Sequence, residues 1–271
     1  MEDGFKILAS QLLHKLQTIS IQKLELEDEE KSMHHLLSVM VDPSEMNDFA
    51  SLRHLNLAML SSYELPGKQT IASTFYPTAV VTFTRLMTLR LGKACLDQQN
   101  GPDERGKLDV DYFIQSIPKW QRLRTLELPG LGLTAENAGD ILEASSKCPS
   151  LRNVDLSDNF LQDLEAVVRR KDVKCRLDRL NLSANSFGAF DDYESTCDAL
   201  GALLSQYTCL IELDLSANCL GIMHGPAIAS VLGTCTHLSV LNLSDNEWDA
   251  TVGHSIRTAW VGQEPDFLLR R

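Results

Sequence analysis

The sequence predicts an α/β fold built as a solenoid of tandem repeats. Three observations carry this. The apolar pattern L-x-x-L-x-L occurs eight times along the chain. In the second half an asparagine follows the last apolar position of each row by three residues. Between rows, apolar residues recur three and four apart, the spacing of one helix face. A catalytic loop is normally written once, whereas a building block is written many times.

The rows begin at Ile21, Leu52, Leu86, Leu123, Leu151, Leu177, Leu210 and Leu238, with steps of 31, 34, 37, 28, 26, 33 and 28 residues. Alternation of apolar and polar residues at the end of a row is a strand signal. The chain must then turn sharply, and the side chains of Asn159, Asn185, Asn218 and Asn246 are placed to bond backbone groups that the turn leaves unpaired. Glu29, Leu60, Ala94 and Leu131 stand at that position in the first four rows, which predicts less regular turns there. Helices are expected over 136–147, 197–207 and 225–235. The N-terminal segment 1–20 reads as an amphipathic cap helix with Phe5, Leu8, Leu12, Leu13 and Leu16 on one face, residues 21–260 as about eight repeats, and 261–271 as a C-terminal tail.

The full pattern, L-x-x-L-x-L-x-x-N-x-L, resembles the leucine-rich repeat, and the resemblance covers roughly residues 4–260. Repeats near 28 residues with a full helix are similar to the ribonuclease-inhibitor-like subclass. The resemblance implies a right-handed horseshoe, with the parallel sheet concave and the helices convex.

Composition narrows the function classes. There are 25 Lys+Arg against 37 Asp+Glu, a net charge of −12. Sequence-independent binding to nucleic acid or anionic lipid needs a basic surface, so direct nucleic-acid binding is not expected. No apolar run reaches the ~18 residues of a membrane span, and the first residues lack the basic start and cleavage site of a signal peptide. The expectation is a cytoplasmic protein whose seven cysteines are free thiols, since none form a C-x-x-C pair. The N-L-S triplets at Asn181 and Asn242 fall on repeat positions and are read as accidental matches to a glycosylation acceptor.

No catalytic or cofactor motif is present among G-x-S-x-G, H-E-x-x-H, the phosphate-binding G-x-x-x-x-G-K-[ST] and G-x-G-x-x-G. His34 and His35 are adjacent and point apart on a helix. The run Asp109–Tyr112 lacks the rest of a calcium loop, and the acidic stretch 25–30 reads as a solvated turn. No metal, cofactor or catalytic residue is expected. A column three positions before the rows, with Phe49, Phe83, Trp120, Cys148, Tyr207 and Cys235, reads as a buried helix end, and Trp248 reads as core.

What remains is surface. On the concave side the central column runs Glu25, Asn56, Arg90, Glu127, Asp155, Asn181, Asp214, Asn242. The column before it runs Lys23, His54, Thr88, Thr125, Asn153, Arg179, Glu212, Val240. Candidate partner-binding residues are Glu25, Arg90, Glu127, Asp155, Arg179, Glu212 and Asp214, a mostly acidic ladder suited to a basic protein partner or a larger assembly. Longer connections at 61–68, 97–107 and 188–195 are candidate edge loops. The functional expectation is a non-enzymatic intracellular scaffold or adaptor. The alternative is GTPase docking or activation, since the repeat type is similar to that of the Ran GTPase-activating protein.

Overall fold

The structure, a computed structural model, describes residues 18–20, 52–57, 85–92, 104–168, 176–189, 193–232 and 237–260. The chain divides into two units, Met1–Glu127 with Lys147–Ser150, and Leu128–Ser146 with Leu151–Arg271. Both are built of parallel-strand repeats, and the fold class is the α/β leucine-rich-repeat solenoid.

The first unit holds strands β1 (Thr18–Ser20), β2 (His54–Leu57), β3 (Thr88–Leu91) and β4 (Thr125–Glu127). They pair in parallel, Thr18 against His54, His54 against Thr88, and Thr88 against Thr125. This register corrects the first row. Ile19 stands opposite Leu55, so the row begins at Leu16 rather than Ile21, and Ser20 takes the column place assigned to Glu25. Both hexapeptides satisfy the apolar spacing, but Thr18 and Ile19 are β-branched and favour the pleated surface. Glu25 itself lies outside the described residues, as do residues 1–17 of the expected cap segment 1–20, whose last three residues form β1 instead of helix, the acidic run 25–30, His34, His35, the 61–68 connection and the tail 261–271.

Helix α1 (Glu104–Ser116) and a 3-10 turn (Ile117–Lys119) lead into β4. The expected loop over 97–107 is therefore shorter, since 104–107 are helical. Val110, Phe113, Ile117 and Trp120 are buried, and the rings of Phe113 and Trp120 meet at 5.7 Å between centroids. The Trp120 carbonyl accepts the Leu123 N–H at 3.1 Å and the Cys148 thiol at 3.0 Å. Trp120 and Cys148 are core, as the helix-end column predicts.

The second unit alternates α2 (Ala135–Ser146), β5 (Asn153–Asp155), α3 (Leu164–Val168), β6 (Arg179–Asn181), α4 (Tyr193–Gln206), β7 (Glu212–Asp214), α5 (Gly225–Leu232), β8 (Val240–Asn242) and α6 (Ala250–Ala259). Strands β5 to β8 pair in order, all parallel. The middle residues Val154, Leu180, Leu213 and Leu241 are buried, while their flanking neighbours stay at least partly exposed. The two-residue period thus sends the apolar column inward and the polar columns to the opposite face. Successive helices pack side by side. Helix α2 comes so near α3 that a Cβ on Gly139 would lie 2.7 Å from the Ala166 carbonyl oxygen. Because α4 begins at Tyr193, the 188–195 loop is also shorter than expected. Trp248 is only half-buried, not core: its indole N–H donates to the Leu243 carbonyl at 2.9 Å.

Candidate interaction surface

The turns after β5 to β8 are fixed by the asparagine column. Asn159 Oδ1 accepts the N–H groups of Leu131 (2.9 Å) and Leu133 (3.2 Å). Its Nδ2 donates to the carbonyls of Leu128, Leu156 and Ser157 at 2.9, 2.9 and 3.0 Å. One side chain thus satisfies its own turn and ties it to the preceding repeat. Asn185 repeats this, accepting from Asn159 and Leu161, both at 3.0 Å. Asn218 accepts from Phe187 at 3.2 Å, and Asn246 from Leu220 at 3.1 Å. The residue before each, Asp158, Ala184, Ala217 or Asp245, sits at a φ between 51° and 57°. Where Leu131 replaces the asparagine, the preceding residue is Gly130, at φ 65°.

The central polar column performs a second turn function. Asp155, Asn181, Asp214 and Asn242 each accept, through Oδ1, the N–H of the serine two residues on, at 2.9 to 3.1 Å. An Asp or Asn is favoured there because its short side chain mimics a backbone turn. This explains the recurring D/N-L-S triplet and accounts for Asn181 and Asn242 as strand-end residues.

Part of the charge in these columns is paired. In the first unit Arg90 Nη1 meets Glu127 Oε2 at 3.2 Å. In the second, Arg179 Nε meets Glu212 Oε2, also at 3.2 Å. Aspartate alternates with asparagine across β5 to β8, and Asp214 Oδ2 accepts from Asn242 Nδ2 at 3.0 Å. Within the second unit the column is thus an alternation of carboxylate and amide beside an ion pair. Asp155 and Asp214 stand two strands apart, with Asn181 between them.

Sequence reasoning missed the apolar side chains on the loops: Phe160, Ile222 and Met223 are 67%, 51% and 62% exposed. The one legible signal was Phe160 standing where the previous row has Gly132. Among the described residues no group of His, Cys, Asp and Glu is arranged to hold a metal ion, and no helix is long and apolar enough to cross a membrane. Burial, and then the neighbouring carboxylates of Asp198 and Glu194, push the Cys197 thiol above its ordinary pKa, away from nucleophilic thiolate.

No protein-family model matches the chain. Among solved structures it is similar to a protein from Bacteroides fragilis, at 15% identity and a TM-score of 0.56, covering 97% of this chain and 70% of that one. The C-terminal domain of tropomodulin from Caenorhabditis elegans aligns at 15% identity and a TM-score of 0.42, over 56% of this chain and 90% of that one. Internalin C2 from Listeria monocytogenes aligns at 15% identity and 0.42, over 81% and 72%.

Proposed function

We propose that this chain is a non-enzymatic protein-interaction module of the ribonuclease-inhibitor-like repeat subclass, a scaffold or adaptor acting in the cytoplasm. Its partner is a protein with a basic surface, met by the exposed sheet face and the loops beside it. The subclass is supported by helices α2, α4 and α5 between the strands.

The observation that carries the functional reading is the polar face of β5 to β8. Its side chains stand at fixed register on rigid strands; Asp155 and Asp214 are each anchored by a turn hydrogen bond, and Glu212 stands beside them in an exposed ion pair with Arg179. Preorganised carboxylates steer a basic partner without an ordering cost at the moment of binding. GTPase docking is the second reading, and no observation on the face of β5 to β8 favours it.

The test uses Asp155→Asn with Asp214→Asn. Asparagine already fills this column at Asn181 and Asn242, so the turn bonds persist and only charge is lost. Quantitative affinity capture with the full chain as bait should show partners that depend on salt and are depleted with the double variant. Capture unchanged by the double variant would remove the sheet face from the reading.

A further inference from the structure

Phe160 is held in a conformation that a bulky side chain rarely adopts. The N–H groups of Asn159 and Leu161 converge on Asn185 Oδ1, which curls the peptide between them and drives Phe160 to φ 59°. One repeat earlier the same convergence, of Leu131 and Leu133 on Asn159 Oδ1, forces the same conformation, and the residue there is Gly132 at φ 67°. In the next two repeats the corresponding residues are Ser186 and Cys219, neither of which has a positive φ. Glycine occupies this conformation without steric cost, whereas an L side chain is strained in it. The fold therefore has no use for the phenylalanine ring, which is 67% exposed. A strained, exposed aromatic on an otherwise rigid turn points to recognition.

Its surroundings indicate what it recognises. The asparagine bonds stack the loop after β5 on that after β6, then β7, then β8. Ile222 and Met223 lie on the loop after β7, two strand spacings from that of Phe160, roughly 10 Å along the stack. An α-helix spans that distance in about seven residues. Asp158, Asp245 and Glu247 are exposed on the same loops, and residues 156–163, 182–189, 215–224 and 243–249 contain no Lys or Arg. An apolar strip in a field of one sign is complementary to apolar side chains flanked by the opposite sign.

We infer that this edge docks a basic amphipathic segment of a protein partner, with Phe160 as its apolar anchor and Lys or Arg of the partner facing Asp158, Asp245 and Glu247. This rests on the interaction-module reading and adds to it the place and the chemistry of the partner.

The test selects a random 12-residue display library on the full chain and, in parallel, on Phe160→Gly. Glycine keeps the turn, so the variant should melt no lower than the parent. Enriched peptides should combine apolar residues with Lys or Arg. A synthetic representative should bind the parent at least tenfold more tightly than Phe160→Gly, and more weakly as salt rises. Replacing Ile222 and Met223 by serine should weaken it too. No enrichment over the variant, enrichment of neutral or acidic peptides, or equal affinity for Phe160→Gly would overturn the inference. So would Phe160-dependent binding of the chain to phosphatidylserine vesicles, which would assign the anchor to a membrane. Peptides lost with Asp155→Asn and Asp214→Asn but indifferent to Phe160→Gly would sink the edge site alone and leave the sheet-face reading standing.

Discussion

Replacing Asn159 by alanine removes five hydrogen bonds from a site that is 1% exposed. The N–H groups of Leu131 and Leu133 lose their acceptor in the interior. An orphaned buried donor costs about 1–3 kcal/mol, so the pair should cost about 2–6 kcal/mol. The three carbonyls lose one donor each and add less, since each has a second lone pair. Asn246 makes the same donations but, among the described residues, accepts only from Leu220 and is half-buried, so water can replace part of what it supplies. Asn246→Ala should therefore cost about 1 kcal/mol. Urea unfolding followed by circular dichroism measures both variants under one condition. Equal losses at the two positions, or none at Asn159, would refute the reasoning. Asn159→Asp refines it. The acceptor remains, but a carboxylate oxygen then faces the carbonyls of Leu128, Leu156 and Ser157. Repulsion favours the protonated acid in the folded state and raises its pKa there. Its stability is therefore greatest below the unfolded value, about pH 4, and is lost as pH rises. The deficit of this variant should be larger at neutral pH than in acid.

Phe160→Gly exchanges the strain of a positive φ for the chain entropy of glycine, terms of about 1 kcal/mol each, so thermal melts should show stability unchanged or slightly raised. Gly139→Ala drives a Cβ against the Ala166 carbonyl and should cost about 1–3 kcal/mol in the same melts; an unchanged midpoint would mean that α2 and α3 yield easily. Among the described cysteines, exposed Cys209 should alkylate first under native conditions and buried Cys148 last. Cys197 should need a pH above the ordinary thiol range for half-maximal rate, as its raised pKa requires, and mass spectrometry of timed samples gives the order. Arg179→Ala should shift stability by less than about 1 kcal/mol, since its ion pair with Glu212 is solvent-exposed.

The regular half was legible because its pattern is over-determined. Each of Asn159, Asn185, Asn218 and Asn246 is required by its own turn and by the one before, so the residue type cannot drift without leaving donors unmet. The first row was misplaced by five residues because Leu16–Ile21 and Ile21–Leu26 fit one apolar template, and only pairing with β2 separates them. The columns were read correctly in the second unit, but the state of their charges was not. Whether Arg179 meets Glu212 depends on register between strands 33 residues apart, which apolar spacing implies only once the rows are aligned. The role of Asp155 and Asp214 in the turns was hidden in the serine two places on, a residue that looks like filler in the repeat. Phe160 was invisible as a site because its strain originates in Asn185, 25 residues later.

Carboxylate footprinting of the chain, free and bound to a captured partner, tests most directly where recognition occurs. Asp155, Glu212 and Asp214 on the sheet face, with Asp158 and Glu247 on the adjoining loops, should lose labelling on binding. Glu136, Glu165, Glu194 and Asp198 on α2, α3 and α4 should label as before. Protection confined to the helical carboxylates, with the sheet face still fully reactive, would contradict the assignment of the binding surface.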